Sequence, residues 1–196
     1  MPTTNRRTFL QGSVLTGLGA MAMQAPVRGA GVADKVTVGL IGCGGRGVYL
    51  SGLFANEKNV DVAYICDVDR DRLARGGREV SGKPPKPVDD MRRVLDDKSV
   101  DAVIVATPDH WHAPAAILAC EAGKHVYVEK PCSHNIREGR LLVDAARRNK
   151  RVVQHGTQVR STDMMIEAVQ KLREGVIGNV LVVKAWNIQK RRSIGH

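Results

Sequence analysis

The chain has 196 residues, of which 43% are hydrophobic and 26% are charged, proportions typical of a soluble globular protein. Aromatic residues make up only 4%, which argues against the stacking surfaces of proteins that bind single-stranded nucleic acid, although a net charge of +10 would suit a polyanion. Residues 1–33 carry three arginines and no acid, so the remainder holds +7, spread mainly over helix surfaces that mix Arg with Asp. We therefore expect no nucleic-acid partner.

The N-terminus has the sequence of an export signal. Arg6 and Arg7 form a twin-arginine pattern, and residues 12–23 follow as a short, weakly apolar and uncharged run. That run is too short to span a hydrocarbon core of about 30 Å, so we expect no stable membrane anchor. The pattern predicts that residues 1–33 are a twin-arginine signal peptide and that the protein is periplasmic. The alternative is a disordered basic N-terminus.

From Lys35 onward, predicted strands and helices alternate. The predicted strands cover residues 35–41, 60–66, 102–106, 126–129 and 152–155. The predicted helices cover residues 48–56, 69–80, 89–95, 114–122 and 136–149, with a chain breaker at residues 82–87. Apolar, β-branched strands joined by helices are typical of a parallel sheet covered on both faces. The fold class is therefore α/β, with a doubly wound parallel sheet in a domain of residues 34–156.

The pattern starts again after Gly156. A helix is predicted at residues 162–174, ended by Gly175, and an extended run follows at residues 179–187. A final strand without a partner cannot close a sheet. We therefore expect residues 157–196 to be the beginning of a second, incomplete α/β domain with an open sheet.

A glycine-rich loop follows the first predicted strand and opens a helix. Its residues are Gly42, Cys43, Gly44, Gly45, Arg46 and Gly47, a GxGxxG pattern. In this pattern the first glycine allows a tight turn, the second lets the backbone approach a pyrophosphate, and the third lets the helix pack closely on the strand. Asp67 ends the second predicted strand 20 residues beyond Gly47, the spacing of a dinucleotide-binding Rossmann domain.

Asp67 also bears on the choice of cofactor. Its carboxylate can accept hydrogen bonds from the hydroxyl groups of the adenosine ribose and would repel a 2′-phosphate. NAD is therefore favoured over NADP, although Arg46 and Arg70 could weaken that preference.

Metal and disulfide sites are not indicated. Four cysteines without a CxxC pair are expected as small buried hydrophobes: Cys43, Cys66, Cys120 and Cys132. His110 and His112 form an HxH pair, which supplies too few ligands for a metal ion without an acidic or cysteine cluster nearby. His110 is better explained as a loop histidine.

Three further segments, in this order, carry a family resemblance. Residues 106–112 (ATPDHWH) are similar to a TPNxxH turn, with Asp109 where Asn is common. Residues 122–131 (AGKHVYVEKP) are similar to an AGKHVxxEKP segment, and residues 156–160 (GTQVR) to the entry into a second domain. From Lys35 onward the chain thus resembles the glucose–fructose oxidoreductase and myo-inositol dehydrogenase family (Gfo/Idh/MocA), in particular its exported bacterial members.

The resemblance implies a function and a set of site residues. Lys130 would be the active-site lysine, relaying a proton while hydride moves between a sugar or cyclitol hydroxyl carbon and the nicotinamide. Thr107, Pro108 and His112 would line the nicotinamide half, and Glu129 would lie against the ribose of the cofactor. A surface lysine in a turn is the alternative for Lys130. The second domain would supply the other catalytic residues, the substrate wall and the face of a homo-oligomer.

Two other functions remain open. Some relatives use a transient oxidation by bound NAD to assist glycoside cleavage, as a hydrolase or lyase. Lys130 of the EKP segment favours a dehydrogenase, because that glycosidase branch has a different sequence at this point. The third possibility is a non-catalytic nucleotide-binding fragment.

Overall fold

The computed structural model describes residues 35–80 and 83–186. The signal peptide predicted for residues 1–33 lies outside these residues. Within these residues, six strands and six helices follow one another, together with single turns of 3₁₀ helix at Asp109–Trp111 and Gln158–Ser161. They are β1 (Val36–Ile41), α1 (Gly45–Ala55), β2 (Val60–Cys66), α2 (Arg70–Glu79), β3 (Lys86–Val88), α3 (Arg92–Asp96), β4 (Ala102–Val105), α4 (His112–Glu121), β5 (His125–Glu129), α5 (Ile136–Arg148), β6 (Val153–Gly156) and α6 (Asp163–Arg173).

The strands form one sheet in the order β3-β2-β1-β4-β5-β6, and every neighbouring pair is parallel. The chain extends the sheet in one direction through β2 and β3, then returns to the other side of β1 with β4. Strand order therefore reverses between β1 and β4, where a doubly wound sheet opens a crevice outside the carboxyl ends of its strands. The predicted doubly wound parallel fold is confirmed.

Both faces of the sheet are buried. In β4, Val103 and Val105 pack into one hydrophobic cluster, while Ile104 between them packs into the other. All three are at most 1% exposed. Alternate side chains of a strand point to opposite faces, so a continuous apolar run is needed when helices cover both. This packing fixes the strand ends from which the site is built.

Among the elements of the sheet domain, β3 and α1 depart most from the sequence prediction. Residues 82–87 were expected only to break the chain, but Lys86–Val88 forms β3, the edge strand beside β2. Pro87 is tolerated there because an edge strand does not need every backbone N–H for pairing. Helix α1 begins at Gly45, three residues earlier than expected, because the second half of the glycine loop forms its first turn.

Residues 157–186 differ from the sheet domain in their packing. Helix α6 contains no buried residue. Residues 179–186, expected as a strand, form no hydrogen-bonded strand, and Leu181 there is 90% exposed. No helix in the described part of the chain has both the length and the apolar character needed to cross a membrane.

Candidate cofactor site

The glycine loop is shaped by steric demands at two of its glycines. Gly42 has φ +100°, and a Cβ atom there would lie 2.6 Å from the carbonyl carbon of Ala106 and 2.7 Å from the nitrogen of Thr107. A Cβ atom on Gly47 would collide with the carbonyl oxygen of Gly42. The loop therefore packs closely against both its own helix and the turn after β4. The tight turn at Gly42 and the close packing at Gly47 were expected from the sequence, and the approach to the turn after β4 was not.

The space around Gly44 is open, unlike that around Gly42 and Gly47. The nearest atom to a Cβ atom there would be Nη1 of Arg72, at 3.7 Å, so the backbone at Gly44 stays approachable. Gly44 is also the N-cap of α1, no side chain caps the helix, and its first turn holds no acidic residue. The free N–H groups and positive dipole end of an 11-residue helix thus point toward this loop. These features fit the pyrophosphate of a dinucleotide.

Asp67 is part of the loop's own hydrogen-bond structure. Its Oδ2 accepts from the N–H of Cys43 at 2.7 Å, and its Oδ1 accepts from the N–H of Asp69 at 2.9 Å. The sequence placed Asp67 near the loop but did not predict these bonds. A carboxylate has about four acceptor positions, so hydroxyl groups of a ribose can still bind it.

Three of the cysteines are buried, as expected, and Cys132 is half-buried. Burial raises the pKa of the Cys43 thiol to about 12, and the nearby Asp67 carboxylate adds to the rise. Burial likewise raises the pKa of Cys66 to about 12. These thiols stay protonated and pack as apolar side chains beside the loop.

An ion pair links the glycine loop to the end of β5. Nε and Nη2 of Arg46 lie 2.8 and 2.7 Å from Oε1 of Glu129, whose side chain is 4% exposed. Oε2 of Glu129 accepts from the main-chain N–H of Lys130 at 3.1 Å. The sequence assigned Arg46 and Glu129 separately to the cofactor site, 83 residues apart. The structure brings them together, so Glu129 connects the phosphate end of the site to Lys130.

Lys130 is exposed at the carboxyl end of β5, and its peptide bond to Pro131 is cis. The turn after the neighbouring strand β4 contains Thr107 and Pro108. Oγ1 of Thr107 is buried without a hydrogen-bond partner among the described residues, and Pro108 is exposed. A buried hydroxyl without a partner is uncommon, and it suits a site where a ligand supplies the missing bond.

His112 is placed differently from the other residues expected near the nicotinamide. Its side chain is buried, and its two ring nitrogens contact the carbonyl oxygens of Thr107 and Pro131. The ring therefore lies between two turns of the main chain. That it lines the cofactor stays a prediction.

Histidine and carboxylate side chains also meet at the surface. Asp109 lies 3.8 Å from Nδ1 of His110 and 3.9 Å from Nδ1 of His134, and all three side chains are more than half exposed. Within residues 35–80 and 83–186, no group of three or more His, Cys, Asp or Glu side chains could hold a metal ion. His134 was not among the site residues predicted from the sequence.

Known proteins resemble this chain in sequence. The profile described as an oxidoreductase family with an NAD-binding Rossmann fold (GFO_IDH_MocA) matches residues 36–157. A glycosyl hydrolase family 109 protein of Saccharopolyspora erythraea is 34% identical over 183 residues, covering 85% of this chain and 39% of the relative. Another, from Shewanella pealeana, is 29% identical over 215 residues, covering 96% and 47%. The chain thus spans less than half the length of these curated relatives.

Solved structures share the fold. GenD2 from gentamicin A biosynthesis, in complex with NAD, has a TM-score of 0.68 and 25% identity, over 76% of this chain and 42% of GenD2. KijD10, a 3-ketoreductase from Actinomadura kijaniata in complex with NADP, has a TM-score of 0.66 and 27% identity, over 74% and 46%. The profile covers the whole sheet and the loop at its carboxyl end, so the chain belongs to the Gfo/Idh/MocA oxidoreductase family and carries its NAD-binding Rossmann fold.

Proposed function

We propose that this chain holds NAD(H) for hydride transfer at a hydroxyl carbon of a sugar or cyclitol, with Lys130 as the catalytic acid and base. The placement of Lys130 carries the proposal. It is exposed at the carboxyl end of a parallel strand, with its main-chain N–H bound by Glu129, which also binds Arg46 of the glycine loop. Ligands of doubly wound sheets lie at this edge. The structural relative KijD10, a 3-ketoreductase, supports a carbonyl or hydroxyl substrate.

The chemistry assigned to Lys130 is proton transfer. NAD, when bound, accepts the hydride in oxidation and NADH returns it in reduction. The neutral amine of Lys130 takes the proton from the substrate hydroxyl as the carbinol C–H bond breaks and the carbonyl forms. Two electrons leave with the hydride and the proton stays on Nζ. In the reverse direction the ammonium returns that proton to the forming alkoxide.

The preference for NAD over NADP is part of the proposal. Asp67 lies at the end of β2 with its carboxylate turned to the glycine loop, where it would repel a 2′-phosphate. Arg46, which could have offset that repulsion, is bound to Glu129. The cation beside Gly44 is instead Arg72.

A second candidate is glycoside cleavage assisted by bound NAD. It is favoured by the curated relatives, which are named glycosyl hydrolase family 109 proteins. The two candidates differ in the fate of the electrons. A dehydrogenase releases NADH in proportion to product, whereas assisted cleavage returns the hydride to the sugar and leaves no net NADH.

Residues 157–196 are proposed to begin the second domain, which would contribute the substrate wall and the face of a homo-oligomer. The exposed apolar side chains of residues 180–186 support this, because an ordinary protein surface seldom exposes so many together. If the substrate wall lies beyond this chain, the chain binds NADH without turning over any sugar. That outcome would identify it as a nucleotide-binding fragment.

The test uses the whole chain and two assays. NADH binding is measured by fluorescence titration, and panels of sugars, cyclitols and chromogenic glycosides are then assayed for NADH formation and for glycoside release. Lys130→Met should abolish turnover while retaining NADH binding, and Lys98→Met, an exposed lysine at the opposite end of the sheet, is the control. Glycoside release without net NADH favours the hydrolase. Failure to bind NADH contradicts the proposal.

Export is proposed on the sequence of residues 1–33. Replacing both Arg6 and Arg7 by Lys removes the paired guanidinium groups but keeps the charge. We expect the product to stay in the cytoplasmic fraction of the cell, while the unaltered protein reaches the periplasm. Equal delivery of both would exclude the twin-arginine route.

A further inference from the structure

We propose that His112 is a positioning residue that holds the two turns flanking the nicotinamide side of the site and so fixes the place of Lys130. This rests on the proposed function of Lys130. The imidazole is 3% exposed, with Nδ1 2.6 Å from the carbonyl oxygen of Pro131 and Nε2 2.8 Å from the carbonyl oxygen of Thr107. One side chain thus joins segments 24 residues apart in the sequence.

The two carbonyl groups belong to neighbouring strands. Thr107 lies in the turn after β4 and Pro131 in the turn after β5, and these strands pair in register up to Val105 and Val128. Beyond that point no strand hydrogen bonds hold these two segments of the described chain together. Here the two contacts of the His112 ring link the segments.

His112 is well anchored for this task. It is the first residue of α4, and the residues that follow on the buried side of that helix are fully buried: Ala113, Ala115, Ala116 and Ala119. Small side chains packed without exposure leave the helix little room to shift. The ring therefore transmits the position of a rigid helix to two turns that lack regular structure.

Lys130 is thereby held through its main chain on both sides. Its N–H donates to Glu129, and the carbonyl of the next residue, Pro131, contacts His112. The side chain itself stays exposed. A hydride-transfer site needs a fixed main chain under an accessible side chain, because displacement of a catalytic group by about 1 Å can lower the rate a hundredfold.

The shape of the imidazole ring, with a nitrogen on each side, lets one side chain contact both turns. Both partners are carbonyl oxygens, which only accept, so both contacts are hydrogen bonds only when both ring nitrogens carry a proton. The neutral ring donates to one carbonyl and turns a lone pair toward the other. Asn and Gln carry both amide hydrogens on a single nitrogen and cannot donate from opposite sides. The ring nitrogens are therefore engaged with the main chain rather than offered to a cofactor.

The test compares His112→Asn with His110→Asn in the whole chain. His110 lies two residues earlier in the same turn, with its side chain 60% exposed, so it controls for changes in local sequence. Amide hydrogen exchange at residues 132–134 should become about tenfold faster in His112→Asn, the equilibrium equivalent of one lost hydrogen bond, and stay unchanged in His110→Asn.

A second measurement separates positioning from general stability. ADP-ribose occupies only the adenosine side, whereas NADH also reaches the turns that His112 joins. His112→Asn should bind ADP-ribose as tightly as the native chain, within about twofold, but lose the extra affinity for NADH. The NMR signal of ¹³C-methylated Lys130, which should shift when NADH binds the native chain, should shift less. In His112→Gly, added imidazole should fill the vacated space. It should restore both the extra affinity for NADH and the NADH-induced shift of the Lys130 signal.

The outcomes separate this inference from the proposed function. Unchanged exchange at residues 132–134, or equal loss of ADP-ribose and NADH binding, would show that His112 does not position this turn. If the native chain binds neither ligand, the proposed function fails, and the exchange comparison still decides whether His112 holds the turn.

Discussion

The two ends of the parallel sheet bury polar groups in different ways. At the amino end, Nζ of Lys124 donates to the carbonyl oxygen of Asp97 at 2.6 Å, and the Asp97 carboxylate accepts from the hydroxyl groups of Tyr64 and Ser99. At the carboxyl end, Glu129 and His112 are also buried and bonded, but Lys130 beside them is exposed, and Oγ1 of Thr107 has no partner within the described ranges.

Shifted pKa values occur at both ends: burial raises those of the Cys43 and Cys66 thiols beside the glycine loop, and a second group lies at the amino end. Hydrogen bonds from Tyr64 and Ser99 lower the pKa of Asp97 to about 2, and the bond to Asp97 raises the pKa of Tyr64. Burial lowers the pKa of Lys124. Such shifts are often used to find active sites, yet here they belong to buried thiols and to a closed structural cluster. The unpartnered hydroxyl and the exposed lysine are better markers of function in this fold.

The largest expected effect comes from breaking the glycine loop. In Gly47→Ala the new Cβ would collide with the carbonyl oxygen of Gly42, so the backbone must shift. We expect the free energy of unfolding to fall by more than about 3 kcal/mol and NADH binding to be lost. Chemical denaturation and fluorescence titration measure the two effects.

Gly52→Ala, in the same helix, is the matched control. A Cβ atom on Gly52 would point into open space, with no atom of another described segment within 4 Å. We expect a gain of about 0.5–1 kcal/mol from higher helix propensity, with unchanged NADH binding. Equal behaviour of the two variants would show that the loop does not need close packing at Gly47.

The glycine loop also shows which parts of the structure can be predicted from the sequence. Its glycines, Asp67 and the apolar strands are local patterns with a steric or periodic cause, so the fold and the cofactor end of the site could be predicted. The pairing of Arg46 with Glu129 and the two contacts of His112 join distant segments, and no local pattern encodes them. Strand β3 was missed because Pro87 normally breaks structure, and only its edge position makes it acceptable.

The second prediction compares one buried charge from each end. Glu129→Gln weakens the ion pair to Arg46, and Lys124→Met removes the bond to Asp97. Each should lower the free energy of unfolding by about 1–2 kcal/mol, since Arg46 is partly solvated and Met refills the space of Lys124. Only Glu129→Gln should weaken NADH binding. Loss of NADH affinity in Lys124→Met would contradict the separation of the two ends.

The third prediction uses the acid dependence of the amino end. Because the folded-state pKa of Asp97 is depressed to about 2, its ionised form stabilises the fold above its unfolded pKa of about 4, and this contribution disappears as pH falls through about 2. Tyr64→Phe removes the main cause of the depression. The variant should melt a few degrees lower than the native chain at neutral pH, and the difference should vanish in strong acid.

Tyr49→Phe is the control for that experiment. Tyr49 is 58% exposed, and the guanidinium carbon of Arg46 lies 5.4 Å from the centroid of its ring, at the other end of the sheet. Its melting temperature should follow that of the native chain across the acid range. A difference between Tyr64→Phe and the native chain that persists below the folded pKa of Asp97 would show that lost packing, not the carboxylate bond, is responsible.

The smallest expected effect concerns cofactor preference. Arg72 lies beside Gly44, and its Nε is 3.3 Å from Oδ2 of Asp69 in a pair that is about half exposed, so its guanidinium can turn to a new anion. Arg72→Ala should weaken NADPH binding about threefold to fivefold, the usual value of an exposed ion pair, and leave NADH within about twofold.

Arg78→Ala, at the far end of α2, is the control and should change neither affinity. Asp67→Ala should act in the opposite direction, weakening NADH more than NADPH. Fluorescence titrations with both cofactors measure these ratios, and equal losses of NADH and NADPH in Arg72→Ala would exclude Arg72 from the 2′-position.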